Sequence, residues 1–253
     1  MKITSFGGTD TGKKRANNED AYLLNDGLGL YAVADGVGGS EGGEVASRMA
    51  AETLAASLPD LLGDKDRTPP VGLVRTVDPA FSALQLAVTL SNRTIRQARA
   101  QTTALADMGT TLTTLLLRDK HAFIAHVGDS RAYLLRSGEF RQLTNDHSLV
   151  GEQVRHGAIT REQARTSPYR HVITRALGID EEVVIDLTKH PLLRGDRLLL
   201  CTDGLTEMVE DAEISGILAG SDPREAVQKL IDAANSRGGV DNITAVVILI
   251  AEV

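Results

Sequence analysis

The 253-residue chain reads as an α+β fold with mostly antiparallel strands, on three observations. Its strand-like segments come in runs rather than alternating with helices, which disfavours a parallel doubly wound sheet. Those segments are short and are separated by Gly, Asn and Asp turn residues. Only three longer stretches keep helical spacing.

In chain order, residues 2–7, 21–25 and 28–34 read as strands, and Asp26-Gly27 is a two-residue hairpin signal between the last two. A helix is expected over 43–62, with Val45, Met49, Ala56 and Leu61 among its apolar positions. Residues 64–77 carry Pro69-Pro70 and scattered charges and read as a loop. Asp78-Pro79 then offers an N-cap followed by proline at the first helical position, and Phe81, Leu84, Val88 and Ile95 carry the spacing on to about residue 104. Strands follow over 110–117, 122–127, 132–136 and 140–143. Residues 148–178 form a polar, weakly periodic insertion with room for one or two short helices. Strands over 183–187 and 197–201, a helix opened by Asp222-Pro223 and running to about 235, and a closing strand over 242–250 complete the chain. No internal repeat or low-complexity linker divides it, so a single domain over 1–253 is expected.

The chain has 27 Lys and Arg against 34 Asp and Glu, a net charge of −7. That balance disfavours nucleic acid and anionic membrane as partners, because both need a basic face. One cysteine, Cys201, excludes an internal disulfide and a multi-cysteine zinc site. The longest apolar run, 245–251, is far short of the roughly 20 residues that cross a bilayer, and residues 1–10 hold no signal-peptide core. A cytoplasmic location is the expectation.

The informative feature is where the aspartates fall. The apolar run 28–34 ends in Asp35-Gly36, the run 123–127 in Gly128-Asp129-Ser130-Arg131, and the run 198–202 in Asp203-Gly204. Asp241 directly precedes the closing strand, and Asp20 directly precedes the strand at 21. One Asp-Gly at a strand end is an ordinary turn. Five acids beside five apolar runs suggest carboxylates converging on one pocket, where they repel one another unless a cation lies between them. Oxygen donors without clustered His or Cys suit Mg²⁺ or Mn²⁺. Two such ions about 4 Å apart can acidify a bridging water and aim it at phosphorus, so a phosphate-ester hydrolase leads.

Six motifs occur in order: Arg15-x-x-Asn18-Glu19-Asp20, Ala34-Asp35-Gly36-Val37-Gly38-Gly39, Met108-Gly109-Thr110-Thr111, Val127-Gly128-Asp129-Ser130-Arg131, Thr202-Asp203-Gly204-Leu205 and Asp241-Asn242-Ile243-Thr244. Together they resemble the signature of the metal-dependent protein phosphatases of the 2C type, bacterial branch, over nearly the whole chain. The resemblance implies a four-layer α/β/β/α sandwich with two central antiparallel sheets. It also implies Mn²⁺- or Mg²⁺-dependent hydrolysis of phosphoserine and phosphothreonine on proteins, opposed by a Hanks-type kinase, by a monomer.

By the same resemblance, Asp35 bridges two core metals and the Gly36 carbonyl ligates one. Asp203 and Asp241 complete one metal's carboxylates, Asp20 and Glu19 hold waters on the other, and Asn242 supports them. Asp129 with Asp203 forms a possible third site, and Arg15 contacts the substrate phosphate, making Arg15 and Asp35 the catalytic pair. Many eukaryotic members carry a histidine two residues after the bridging aspartate as a candidate general acid. Val37 stands there, which leaves His147 as a candidate acid or, alternatively, as the anchor of the 148–178 flap. Arg161, Arg165, Arg170, His171 and Arg175 make that flap basic, suited to steering phosphorylated segments. Two other readings remain: a phosphoprotein-binding pseudophosphatase, or a dedicated phosphatase of a partner-switching regulator.

Three decoys fail on chemistry. Gly7-x-x-x-x-Gly12-Lys13 is followed by Lys14 where a P-loop needs Ser or Thr. A cysteine phosphatase centred on Cys201 needs arginine six residues on, and Glu207 stands there. Gly128-Asp129-Ser130-Arg131-Ala132 lacks the second glycine of a nucleophile elbow.

Overall fold

The computed structural model describes residues 1–38, 42–63, 78–101 and 103–253. The segment 64–77, read above as a loop, lies outside the described residues, as does Gly39. Eleven strands are present among the described residues: β1 (Lys2–Asp10), β2 (Asp20–Asn25), β3 (Leu30–Val37), β4 (Gly109–Thr110), β5 (Leu112–Arg118), β6 (His121–Val127), β7 (Arg131–Arg136), β8 (Glu139–Gln142), β9 (Asp186–Pro191), β10 (Arg197–Cys201) and β11 (Ile243–Glu252). The helices are α1 (Gly42–Gly63), α2 (Pro79–Gln101), α3 (Leu149–Arg155), α4 (Arg161–Thr166), α5 (Asp203–Thr206), α6 (Asp211–Gly220) and α7 (Pro223–Ser236).

One sheet runs β1-β11-β10-β7-β8 and the other β2-β3-β5-β6-β9, with β4 paired to β3. Every ladder is antiparallel. The parity of β3 shows how the layers stack. Leu30, Ala32 and Ala34 pack with Leu54, Leu58, Leu84 and Val88 of α1 and α2. The alternate residues Tyr31 and Val33 pack instead against Leu198, Leu200, Val246 and Ile248 of the opposite sheet. On that sheet's far face, Leu199 and Val247 meet Val227 and Leu230 of α7. A strand buried on both faces has no polar side to alternate with, which is why β3 and β11 are continuous apolar runs. The result is the four-layer α/β/β/α sandwich that the resemblance implied.

The helices begin where their caps predict. The Asp222 side chain accepts from Glu225 N with proline next in line, and Asp78 accepts from Ala80 N at 3.1 Å. Within the flap, Ser148 caps α3 and Thr160 forms a capping box on α4, giving the two short helices expected there.

Several boundaries differ from the sequence reading. The β2–β3 turn spans residues 26–29 rather than two, with Asn25 opposite Leu30 and the left-handed conformation falling on Gly29 (φ 64°). The strand expected over 183–187 begins at Asp186 and runs to Pro191, because Val183 and Ile185 pack into the helix-side core while the edge of β6 pairs from Asp186 onward. The second long helix stops at Gln101. Helices α5 and α6 follow Thr202, where the sequence suggested only a turn.

Candidate metal centre

All five aspartates lie at strand ends or just beyond them. Asp20 opens β2, and antiparallel register sets it directly opposite Asp35 of β3. Like charges at directly paired positions destabilise a sheet, so this pairing needs a compensating positive charge. Asp129 lies in the β6–β7 turn, Asp203 is the first residue of α5 after β10, and Asp241 stands two residues before β11. The two sheets therefore deliver their acids to one end of the sandwich.

Burial pushes the Asp20 carboxyl up to about 7, against two hydroxyls that donate to it. Burial likewise raises Asp35 well above the usual carboxylate range, with Asp20, Asp203 and Asp129 adding to the shift through their charge. Asp129 and Asp203 are raised by the same cause. Among the described residues, Asp20 Oδ1 and Asp203 Oδ1 are buried oxygens without a hydrogen-bond donor. A buried acceptor left unsatisfied costs about 1–3 kcal/mol, more when charged. Four acids, Asp129 buried and Asp20, Asp35 and Asp203 half-buried, with two orphaned buried oxygens among them, are a donor set that fits cations. All-oxygen chemistry fits Mg²⁺ or Mn²⁺, so the residues present fit the ions that the resemblance implied.

The other Asp20 oxygen, Oδ2, accepts from Thr202 Oγ1 at 2.8 Å, just past the end of β10, and from Thr244 Oγ1 at 2.6 Å, on β11 of the opposite sheet. Thr244 Oγ1 also lies 2.7 Å from Thr9 Oγ1, which accepts from Asn18 Nδ2. Asp35 is aimed through its backbone: its N–H donates to Thr111 Oγ1 and its carbonyl accepts from Thr111 N, both at 2.9 Å. A Cβ on Gly36 would lie 2.2 Å from the Gly43 carbonyl oxygen and 2.6 Å from that of Glu19, so only glycine lets these backbones meet. Asn242 is a staple, accepting from Glu19 N at 2.8 Å and donating to the carbonyls of Thr11 and Asn17 at 2.9 Å.

Arg15 is half exposed at the rim, its Nη2 2.7 Å from Asp241 Oδ2. His147 is fully buried away from that rim. Its Nδ1 accepts from Gly128 N at 3.1 Å and its Nε2 lies 3.1 Å from Asp186 Oδ2, so neither ring nitrogen is available to a substrate. His126, on β6, is likewise engaged by the Asn145 carbonyl and Thr113 Oγ1.

The flap reaches the centre through contacts that the sequence did not disclose. His171 Nδ1 lies 3.1 Å from Glu207 Oε1, with Arg170 Nε at 3.8 Å, and Glu207 directly follows the helix that Asp203 begins. Arg165 and Arg175 similarly face Glu210 and Asp186, so Arg165, Arg170, His171 and Arg175 of the flap all meet acids of the body. Glu207 carried no motif to mark it, whereas Thr202 and Thr244 stood inside the motifs without an assigned role.

A family model described as protein phosphatase 2C matches residues 8–243. The chain belongs to the protein phosphatase 2C family. It is 37% identical over 248 residues to protein phosphatase PhpP of Streptococcus pneumoniae, covering 96% of each protein. To serine/threonine phosphatase stp of Listeria innocua it is 38% identical over 244 residues, covering 95% of this chain and 93% of that one. Among solved structures, the Mycobacterium tuberculosis serine/threonine phosphatase PstP/Ppp superposes with a TM-score of 0.85 at 38% identity, covering 99% of both chains. A PstP catalytic domain in complex with two manganese ions superposes with a TM-score of 0.83 at 37% identity, again covering 99% of both. The chain is thus a metal-dependent serine/threonine phosphoprotein phosphatase with Mn²⁺ or Mg²⁺ as its cofactor. No described helix is long and apolar enough to cross a membrane.

Proposed function

We propose that Asp35, the Gly36 carbonyl, Asp20, Asp203 and Asp241 hold the two core divalent ions, that Asp129 joins Asp203 around a third, and that Arg15 takes the phosphate of the substrate side chain. The observation that carries this reading is the pair of donorless buried oxygens, Asp20 Oδ1 and Asp203 Oδ1, inside a group of four acids whose carboxyls are all raised by desolvation. When bound, divalent ions neutralise those acids and acidify the water that attacks phosphorus.

The chain's own residues supply orientation. Thr202 and Thr244 hold Asp20 so that Oδ1 faces inward, Thr111 aims Asp35, and Asn242 ties the Glu19 backbone to the Asp241 loop. The Arg15 guanidinium, at the rim and already beside a carboxylate, offers a two-point fork to phosphate oxygens. The single cysteine is no covalent nucleophile: Cys201 is buried on β10, and burial pushes its thiol up to about 12. In this reading water attacks the phosphoryl group directly, as the family resemblance implies. With both ring nitrogens of His147 engaged, the leaving-group proton comes from water at the site, and His147 serves as the flap anchor.

The substrates are phosphorylated proteins. A Hanks-type Ser/Thr kinase as the opposing enzyme, a monomeric single domain and a cytoplasmic location complete the reading, on the composition and the family resemblance. The pseudophosphatase alternative is disfavoured because every ligand aspartate is present. Hydrolysis of p-nitrophenyl phosphate should require Mn²⁺ or Mg²⁺, stop with EDTA, and fall at least about 100-fold in Asp35→Asn. Turnover that ignores EDTA, or none with any divalent ion, would overturn the assignment.

A further inference from the structure

We propose that His147 is a positioning residue that sets the Asp129 loop and both ends of the flap together; this rests on reading Asp129 as a cation ligand. Its backbone N–H donates to the Gly128 carbonyl at 2.7 Å while its Nδ1 accepts from Gly128 N at 3.1 Å, two contacts with the residue that precedes Asp129. Gly128 has φ 112°, and a Cβ there would lie 2.5 Å from the Thr111 side chain. The peptide leading into Asp129 is thus confined by Thr111 on one side and held by His147 on the other.

His147 also closes the flap. Its carbonyl accepts from Thr174 N at 2.7 Å, Ser148 forms a bridge with Ile173, and Leu149 N donates to the Val172 carbonyl at 2.8 Å. Because Nδ1 accepts, the ring proton is assigned to Nε2, which then donates to Asp186 Oδ2 at 3.1 Å, while Arg175 Nη1, also 3.1 Å from Nε2, directs its hydrogen to Asp186. Asp186 in turn accepts from Arg175 Nη1, at the flap exit, at 2.9 Å. One buried imidazole therefore spans the gap between the Asp129 loop and the flap exit, with no access to water that could substitute for a lost partner. The preceding residue, Asp146, has its own partners: Arg131 Nη2 donates to its Oδ2 at 2.6 Å, Arg131 Nε to Oδ1 and Oδ2 at 2.9 and 3.1 Å, and Gln142 Nε2 to Oδ1 at 2.8 Å.

The test separates the two halves of the imidazole in the full chain. His147→Asn keeps an acceptor for Gly128 N and loses the reach to Asp186. His147→Gln keeps a donor for Asp186 and loses the acceptor. Three readouts are taken: free Mn²⁺ by electron paramagnetic resonance, the ratio of phosphopeptide to p-nitrophenyl phosphate kcat/KM, and hydrogen exchange at the Thr174 amide. The Gln variant should weaken Mn²⁺ binding beyond the two tight ions about tenfold. The Asn variant should keep that isotherm, lower the substrate ratio about tenfold and speed Thr174 exchange by a similar factor. Two variants that match the wild type in all three readouts would overturn the proposal. So would variants that lose stability and both activities in equal proportion, since that is a merely structural role. A wild-type protein without Mn²⁺-dependent turnover would sink the metal-centre reading instead, while Thr174 exchange still judges the His147 tie.

Discussion

Stripping the divalent ions should make folding stability depend on pH in a direction that identifies the buried carboxylates. Asp20 has its pKa at about 7 in the metal-free fold, against an ordinary 3.8. Between those values the native protein keeps a proton that the unfolded chain has released, so the stability of the metal-free form is full below about 3.8 and is lost as pH rises through 7. At a limiting slope of about 1.4 kcal/mol per pH unit, which flattens as the native group titrates near 7, Asp20 alone removes about 2 kcal/mol between pH 5 and pH 7. Asp35, Asp129 and Asp203 shift in the same direction and add to it. Bound ions hold these groups ionised and cancel the slope. Buried His126, held down at about 4, and His147, also lowered, act oppositely and stabilise as pH rises, but they do so with or without metal. The quantity to follow is therefore the difference between urea-unfolding free energies in Mn²⁺ and in EDTA, measured from pH 5 to pH 8. We expect that gap to widen by about 2 kcal/mol or more from pH 5 to pH 7. A gap that stays constant across the range would refute the reasoning, because four normally titrating carboxylates would already be ionised at pH 5.

Other perturbations probe single parts of the centre. Arg15→Ala should raise KM for p-nitrophenyl phosphate about tenfold or more while leaving Mn²⁺ binding in place, and Arg15→Lys should recover only part of the loss; unchanged kinetics would remove Arg15 from the phosphate site. Gly36→Ala drives a Cβ onto two backbone carbonyl oxygens, which should cost about 3 kcal/mol and lower Tm by about 10 °C. Calorimetry showing a wild-type Tm would contradict the close approach. Thr244→Val removes one of the two hydroxyl donors to Asp20 Oδ2, raising the carboxyl further. The pH–activity curve at limiting Mn²⁺ should then move up by about one unit, and a curve that overlays the wild type would show that Thr244 does not tune the ligand.

The strand-end acids were legible because each follows or precedes an apolar run, and a strand buried on both faces advertises itself in sequence. Turn lengths were less so. Asp26-Gly27 has the composition of a two-residue hairpin, yet the left-handed residue is Gly29, and the ladder closes only between Asn25 and Leu30. Val183 and Ile185 look like strand residues because they are apolar, but a helix-side core uses apolar residues from a loop equally well. Helix α5 was hidden because Asp203-Gly204 satisfies turn chemistry and one-turn helix chemistry alike. The basic flap looked like a free cationic surface, whereas Arg165, Arg170, His171 and Arg175 face Glu210, Glu207 and Asp186, partners between 11 and 45 positions away in the chain.

The sequence by itself determined the fold class and the inventory of strand-end carboxylates with the oxygen donors they offer, because periodicity and donor chemistry are local properties. Only the tertiary structure decided that Asp20 and Asp35 stand in register, that Thr202 and Thr244 reach Asp20 from the end of β10 and from β11, and that both ring nitrogens of His147 are engaged. Those outcomes depend on strand register, sheet packing and burial. Each is set by the whole core at once, and none has a signature in the few residues around the group it governs.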